Sequence, residues 1–140
     1  MNALTVLIDT DVLIDFLTDR EPFTKNAKEL IKKSHESAIY AFLAPHSITN
    51  IFYILRKYYS VADRKQRLAD LCLSVSVAPV NADLMMNALA NNDFDDVEDS
   101  LQAECAIAIG ADYIVTRNTK DYAKSRIPAV LPNELLALVS

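Results

Sequence analysis

The residues that first suggest chemistry are three aspartates in the stretch LTVLIDTDVLIDFL, residues 4–17. Asp9 ends an apolar, strand-like run, and Asp11 and Asp15 follow it within a second apolar run. Aspartate is a poor strand residue and is rarely buried without a partner. Asp9 or Thr10 can cap a helix and Asp11 can complement its dipole, but capping does not explain all three acids. We therefore predict a functional role for Asp9.

A second acidic run, DFDDVEDSLQ, occupies residues 93–102 and leads into an apolar, helix-like segment. Asp95 or Asp96 can cap that helix, with a later acid of the run completing a capping box. Asp99 differs because it lies one turn into the helix, beside the start of the apolar run. We expect Asp99 to face the end of the sheet at which Asp9 lies.

Two further polar groups interrupt otherwise apolar patterns. Asn118 and Asp121 lie in VTRNTKDY, and Asn50 lies in the first turns of the helix predicted in PHSITNIFYILRK. A polar strand-to-helix turn with Asn118 as its cap is the structural explanation of the first group. The functional explanation of the first group is that Thr116, Asn118 and Asp121 point into the same crevice.

Apolar periodicity predicts the elements that must position these residues. Strands are expected near residues 4–8, 38–44, 74–80 and 112–116, with a short fifth strand in IPAVL. Helices are expected over 11–18, from Pro22 to about Ser37, from Pro45, over 61–72, after Asn81, up to Gly110 and from Pro132. This alternation predicts a parallel sheet covered on both faces. Sites in such sheets form beyond the carboxyl ends of the strands, where Asp9 and Asn118 would lie.

Composition indicates one ordinary globular domain. The chain has 140 residues, of which 51% are apolar and 24% charged, and no apolar run is long enough to span a membrane. No secretory signal is visible, so we expect a cytoplasmic protein. Cys72 and Cys105 stand apart in apolar, helix-like stretches and are expected to be buried free thiols.

The net charge of −5 argues against a protein that binds nucleic acid through bulk electrostatics. An acidic protein that handles nucleic acid would need metal ions or a local basic stripe. Lys25, Lys28 and Lys32 recur at helical spacing, which is more typical of a solvated helix face than of an RNA contact. The single glycine, Gly110, excludes a glycine-rich phosphate loop.

Carboxylates that converge at one crevice repel one another unless a cation compensates them. A cluster of oxygen ligands, without cysteine or paired histidine, suits Mg²⁺ or Mn²⁺ rather than zinc. Such an ion can orient water and offset the charge that develops on a phosphate, which suits phosphodiester hydrolysis.

Four motifs, VLIDTDVLIDFL, SITNIFYILRK, DVEDSLQAECAIAIGADYIVTRNTKDY and IPAVLPNELL, together resemble the PIN domain family. They span nearly the whole chain in the family's order, and they are most similar to small bacterial PIN proteins, whose best-known members are toxins of toxin–antitoxin pairs. The resemblance implies a single three-layer α/β/α domain over residues 1–140 with a mainly parallel sheet. It also implies a metal-dependent ribonuclease, an RNA substrate, an antitoxin partner and a homodimer.

The resemblance also implies four acidic site positions. The first corresponds to Asp9 and the third to Asp99. The second, usually a glutamate, falls at Asn50, and the fourth, in a TRD-like turn, falls at Asn118. Asp121, three residues further on, can substitute for the fourth. The implied catalytic set is therefore these five residues, with Asp9, Asp99 and Asp121 as ligands of Mg²⁺ or Mn²⁺.

Two other functions compete with this one. The stretch DTDVL also fits the nucleophile pattern of haloacid-dehalogenase-like phosphatases, in which Asp9 would be phosphorylated and Asp11 would act as acid and base. That family's later metal motif is missing, and one glycine is too few for its turns. The second alternative is a PIN fold that binds RNA or a protein without cutting, because Asn50 and Asn118 replace acids.

Overall fold

The computed structural model describes residues 3–139, which contain five strands and seven α-helices. The strands are β1 (Thr5–Ile8), β2 (Tyr40–Leu43), β3 (Ser76–Val77), β4 (Tyr113–Val115) and β5 (Ala129–Val130). The α-helices are α1 (Thr10–Leu17), α2 (Thr24–His35), α3 (Pro45–Ile54), α4 (Val61–Ser74), α5 (Ala82–Ala90), α6 (Val97–Ala108) and α7 (Pro132–Val139). Short 3₁₀ helices cover Leu55–Lys57 and Thr119–Tyr122. None of the helices in this range is long and apolar enough to cross a lipid bilayer.

The five strands form one parallel sheet in the order β3-β2-β1-β4-β5. β1 lies at its centre, with Leu7 opposite Phe42 of β2 on one side and Ile114 of β4 on the other. The chain first winds outward from β1 to β2 and β3, then returns to the other side of β1 with β4 and β5. The predicted α/β fold with a parallel central sheet is confirmed.

Helices cover both faces of the sheet. Val6 and Ile8 of β1 belong to the core formed with α1, α2, α3, α4 and α7, whereas Leu7 belongs to the core formed with α5 and α6. Because both faces of β1 are buried, its sequence reads as a continuous apolar run rather than an alternating one.

Local signals fix where the helices of the site begin and end. The side chains of Ser60, Asn81 and Asp96 accept hydrogen bonds from backbone N–H groups in the first turns of α4, α5 and α6. After α6 the chain passes through Gly110 at φ +66°, a backbone conformation that residues with a Cβ atom rarely adopt. Residues next to α6 in the sequence therefore determine where this helix begins and ends.

Three sequence predictions need correction. α2 begins at Thr24 rather than Pro22. The predicted strand at residues 74–80 shrinks to two residues because α4 runs to Ser74 and Pro79 has no N–H for a ladder. Cys72 is exposed, whereas Cys105 is buried as predicted, and both are free thiols.

Candidate functional site

The candidate site lies where the strand order reverses, between the carboxyl ends of β1 and β4. Asp9 directly follows β1 and Thr116 directly follows β4. The backbone N–H of Asp9 donates to the carbonyl of Val115 at 2.9 Å, which joins the two strand ends. Ligand sites of open α/β sheets form at such a reversal, because the connecting helices diverge there and leave a crevice.

The Asp9 carboxylate is held by four neutral donors. Oδ1 accepts from the backbone N–H of Thr10 at 2.8 Å and from the Gln102 amide at 3.0 Å. Oδ2 accepts from the Thr116 hydroxyl at 2.9 Å and from the Tyr122 hydroxyl at 3.1 Å. Asp9 therefore caps α1, as the structural explanation required, and is also tied to α6 and to the segment after β4.

Asp99 approaches Asp9 from α6. Asp96 caps that helix by accepting from the backbone N–H groups of Glu98 and Asp99, which places Asp99 in the first turn. The Tyr122 hydroxyl lies 3.5 Å from Asp99 Oδ1 as well as 3.1 Å from Asp9 Oδ2. One hydroxyl group thus lies within reach of both carboxylates.

Crowding of acids perturbs Asp99. Burial, followed by the negative charges of Asp96, Asp121 and Asp9, raises the pKa of Asp99 to about 6. Asp121 itself is exposed, but its charge acts on Asp99, so it lies at the same crevice. The electrostatic environment disfavours another negative charge and favours a cation.

Asp11 and Asn118 meet on the other side of Asp9. Asp11 Oδ2 accepts from the backbone N–H of Arg117 and from the Asn118 side-chain amide, both at 3.1 Å. Its second oxygen, Oδ1, is buried and has no hydrogen-bond partner within residues 3–139. Burial and the charge of Asp9 raise the pKa of Asp11 to about 6. Asn118 therefore reaches the crevice as a donor to an acid.

Asp15 has a different environment. Its side chain is 1% exposed and forms an ion pair with Arg117, with Nε 2.6 Å from Oδ2 and Nη2 3.3 Å from Oδ1. The guanidinium also lies over the Phe23 ring, 4.0 Å from its centroid. Asp15 thus pairs with Arg117. The guanidinium therefore compensates the charge of Asp15 rather than the charges of Asp9 and Asp99.

Asn50 lies on α3, the helix that also carries Ser47, and only this position on the helix places it near the crevice. It is half-buried on α3, one turn after Ser47, whose hydroxyl lies 2.8 Å from that of Thr10 and 3.2 Å from the Gln102 amide. No hydrogen bond to the Asn50 side chain is present in the part of the chain that the structure describes. The predicted role of Asn50 stays a prediction.

Sequence reasoning missed Gln102 and Tyr122. Both side chains are 2% exposed, and each donates to Asp9. Gln102 lies three residues after Asp99, so helical spacing places it on the same side of α6. That spacing was a usable signal for Gln102, whereas nothing in the sequence pattern separates Tyr122 from an ordinary core aromatic residue.

His46 is a third residue whose position the sequence did not indicate. A lone histidine is more often a surface or core residue than a ligand, but the His46 ring lies close enough to Glu98, Asp9 and Asp96 for their charges to act on it. Burial lowers the pKa of His46, and these acids partly offset that effect. Its Nε2 atom is buried and lacks a partner among residues 3–139.

The donor set of this crevice fits a hard divalent cation. The converging groups are carboxylate oxygens, and Asp11 contributes a buried oxygen without a partner. Across the described residues, no group of three or more His, Cys, Asp or Glu side chains is arranged to enclose a metal ion. Mg²⁺, however, is usually held by one or two carboxylates together with water and substrate phosphates. Asp9 and Asp99 offer two such carboxylates, and the predicted ligand set of Asp9, Asp99 and Asp121 stays a prediction.

The sequence matches the PIN domain family model over residues 5–120, and the chain therefore belongs to the PIN domain family. This membership replaces the phosphatase alternative, which was wrong. A comparison with curated protein sequences gives no match.

Solved structures of toxin–antitoxin proteins share the fold. VapBC2 from Rickettsia felis, bound to a promoter DNA fragment, has a TM-score of 0.68 at 14% identity, covering 91% of this chain and 98% of that chain. A toxin–antitoxin complex from Klebsiella pneumoniae has a TM-score of 0.68 at 20% identity, covering 91% and 97%. VapC20 from Mycobacterium tuberculosis, a sarcin–ricin-loop-cleaving toxin, has a TM-score of 0.62 at 17% identity, covering 78% and 86%.

The crowded acids predict an unusual pH dependence of stability in the absence of metal. The folded protein raises the pKa of Asp11 and Asp99 from 3.8 to about 6, so between these values it binds more protons than the unfolded chain. For these two groups the free energy of unfolding should therefore rise as the pH falls from 7 toward 5; His46 offsets part of this rise, because its lowered pKa makes the unfolded chain bind the extra proton in the same range. We expect a gain on the order of 1–2 kcal/mol, or a few degrees of melting temperature, after allowing for solvent screening.

Thermal melts in EDTA at pH 7.5, 6.0 and 5.0 measure this effect. The variant Asp11→Asn should show a shallower dependence because one of the two groups no longer titrates. A melting temperature that falls steadily from pH 7.5 to pH 5.0 would contradict the raised pKa values.

Proposed function

We propose that this PIN domain is an endoribonuclease that hydrolyses single-stranded RNA with Mg²⁺ or Mn²⁺. The observation that carries the proposal is the approach of Asp9 and Asp99 to one hydroxyl group at the crevice between β1 and β4. Family membership supports it, and so does the similarity to VapC20, a sarcin–ricin-loop-cleaving toxin.

In this proposal Asp9 and Asp99 hold the metal ion, with Asp121 as the third ligand. When bound, the ion makes water a better nucleophile and offsets the charge that develops on the phosphate. Thr116 and Gln102 orient Asp9 through their hydrogen bonds to its two oxygens. Such orienting contacts keep a carboxylate in one rotamer, so that less ordering is needed when a ligand arrives.

Asn118 and Asn50 complete the proposed site as neutral groups. The Asn118 amide donates to Asp11 and so adds to the hold that the Arg117 backbone N–H already has on the same oxygen. Asn50 offers a carbonyl oxygen and an amide at the rim of the crevice without adding charge. Their neutrality lowers the attraction for a cation, and the site therefore depends on Asp9 and Asp99.

The direct test is cleavage of a labelled single-stranded RNA by the purified protein with Mg²⁺, Mn²⁺ or EDTA. We expect internal cleavage with either metal and none in EDTA, and no cleavage of the DNA of the same sequence. Cleavage that persists in EDTA, or an intact RNA in both metals, would overturn the proposal.

A second function has an observation in its favour. Four neutral donors already engage the two oxygens of Asp9, and two positions that are usually acidic in the family carry asparagine. Both facts suit a PIN fold that binds RNA or a protein without cutting it. Tight RNA binding with no cleavage in Mn²⁺ would favour this alternative over the nuclease.

We further propose a homodimer formed through α3 and the 3₁₀ helix that follows it. Tyr53 is 62% and Tyr58 63% exposed there, and Ile54 is also exposed. Large aromatic residues on a surface are typical of protein interfaces. Light scattering at tens of micromolar should give twice the 15.6 kDa chain mass, and Tyr53→Lys should shift the mass toward one chain. A wild-type monomer at that concentration would contradict the dimer.

We also propose an antitoxin partner in the cytoplasm. Support comes from structural neighbours solved as complexes, among them VapBC-1 from nontypeable Haemophilus influenzae and the complex from Klebsiella pneumoniae. A neighbouring reading frame that encodes a small DNA-binding protein, and its co-purification with this chain, would support the pairing.

Replacing Asn50 by glutamate should have two opposite effects. The added charge should tighten Mn²⁺ binding, because Coulomb attraction at an effective dielectric near 20 is worth on the order of a few kcal/mol, partly offset by desolvation. The same charge adds to the repulsion among Asp9, Asp99 and Asp121 when no metal is bound. We therefore expect a lower melting temperature in EDTA.

Calorimetric titration with Mn²⁺ and melts in EDTA measure the two effects of Asn50→Glu. Asn50→Gln is the matched control, because it has the length of glutamate without its charge, and it should change neither quantity. If the glutamate variant binds Mn²⁺ no better and melts no lower, Asn50 does not face the crevice.

A further inference from the structure

A polar pocket lies beside the acidic crevice, on the side of the sheet that α5 and α6 cover. It has a volume of about 360 Å³ and is lined by residues of α5, of α6, of the loop between these two helices and of the loop after the second 3₁₀ helix, including Asn87, Asn91, Phe94, Glu104, Lys124 and Arg126. This volume lies within the range of small-ligand sites. The proposed chemistry at Asp9 and Asp99 uses none of these side chains.

Two cations, Lys124 and Arg126, line the pocket together with two acids, Asp93 and Glu104. Lys124 and Arg126 are exposed, and neither takes part in an ion pair within residues 3–139. By contrast, Arg117 forms an ion pair with Asp15. Lys28, one of the three lysines at helical spacing on α2, forms an ion pair with Asp19 at 2.7 Å. Free cations beside the crevice can therefore contact the phosphates of a nucleic acid.

A short path connects the pocket to the acids. The Phe94 ring lines the pocket and packs against the Tyr122 ring, with the two centroids 6.3 Å apart. The hydroxyl at the far end of the Tyr122 ring lies 3.1 Å from Asp9 Oδ2. The pocket and the crevice are thus joined through one pair of packed aromatic rings, which makes them neighbours on this side of the sheet.

The pocket also offers the groups that recognise an unpaired base. Single-stranded RNA is recognised by stacking of bases on aromatic rings and by hydrogen bonds to base edges. Phe94 supplies a half-buried ring, Asn87 an exposed amide, and Glu104 a carboxylate that accepts from amino groups of a base. Adenine, cytosine and guanine carry such an amino group, whereas uracil does not.

We infer that this pocket binds one base of a single-stranded RNA next to the scissile phosphate, with Lys124 and Arg126 on the flanking phosphates. The inference rests on the proposed nuclease function, because it takes RNA to be the substrate. It adds a base-binding subsite and a preference against uracil at that position.

The first experiment measures RNA binding by fluorescence anisotropy in EDTA, where the proposed cleavage does not occur. Lys124→Glu and Arg126→Glu should each raise the Kd at least about five-fold and lower its dependence on salt. Lys32→Glu is the matched control, because it makes the same charge change at an exposed position of α2, on the opposite face of the sheet. The control should change the Kd less than two-fold.

The second experiment locates the base. Oligonucleotides with one abasic nucleotide at successive positions should show one position at which the missing base weakens binding at least three-fold. Uracil at that position should bind more weakly than cytosine. Asn87→Ala, at an exposed position of α5, should at least halve the abasic penalty there and leave the melting temperature unchanged.

The outcomes separate the two proposals. If RNA is cleaved with metal but both charge reversals behave like Lys32→Glu, the base-binding pocket is wrong and the nuclease stands. If no metal supports cleavage but the charge reversals and the abasic scan behave as expected, the nuclease is wrong, and the pocket stands only as a base-binding site on an RNA that is not cut. A uniform abasic penalty along the RNA overturns the pocket in either case.

Discussion

Asp9→Asn and Asp99→Asn should each lower RNA cleavage at least about 100-fold while the protein stays folded. Each substitution removes one of the two negative charges that the proposed metal site needs, and the loss of a preorganised charge at a phosphate-transfer site has effects of this size. The measurement is the initial rate of cleavage in Mn²⁺, together with a thermal melt of each variant in EDTA.

The hydrogen bonds around Asp9 explain why Asp9→Asn should keep its fold. The remaining carbonyl oxygen can accept from Thr10 and Gln102, which the aspartate does through Oδ1. The new amide replaces Oδ2 and faces the hydroxyls of Thr116 and Tyr122, which can turn and accept instead of donating. Asparagine is also a good helix cap, so α1 should begin unchanged.

The matched control is Asp63→Asn, which removes an exposed carboxylate from the first turn of α4. It should leave cleavage within two-fold of the wild type. Full activity in both Asp9→Asn and Asp99→Asn would remove the basis for placing a metal ion between β1 and α6.

The location of the candidate site could be predicted because it depends on where individual strands end, and each strand end is visible as a change from apolar to polar residues in the sequence. An apolar run that stops at Asp9 marks the carboxyl end of a buried strand, and the turn that holds Asn118 marks the end of another. Parallel strands bring such ends together at one edge of the sheet. The spacing of Asp99 on its helix then adds a third side chain from a distant part of the chain.

The contacts inside the site could not be predicted in this way. The bonds from Gln102 and Tyr122 to Asp9 join residues 93 and 113 positions apart, and they depend on rotamers and on the exact approach of α6. The exposure of Cys72 has a similar cause, because the apolar pattern of α4 identifies its buried face only approximately. Asp15 illustrates the same point, since its partner Arg117 lies 102 positions away.

Arg117→Met should destabilise the protein by about 3–5 kcal/mol, the usual cost of leaving a buried charge without its partner. The Asp15 side chain is 1% exposed, and Arg117 contacts both of its oxygens. Methionine can still pack on the Phe23 ring, so the loss should come mainly from the ion pair. The melting temperature should fall on the order of 10 °C, a shift that calorimetry measures directly.

A double variant separates the charge from the packing. Asp15→Leu combined with Arg117→Met replaces the pair by apolar side chains and should recover most of the stability that Arg117→Met loses, because no buried charge is left unpaired. Arg117→Lys is the intermediate control, since it keeps the positive charge but neither the two-point contact nor the planar stacking on Phe23. If Arg117→Met melts within 2 °C of the wild type, water reaches Asp15 in solution and the ion pair does not hold the turn after β4 against α1.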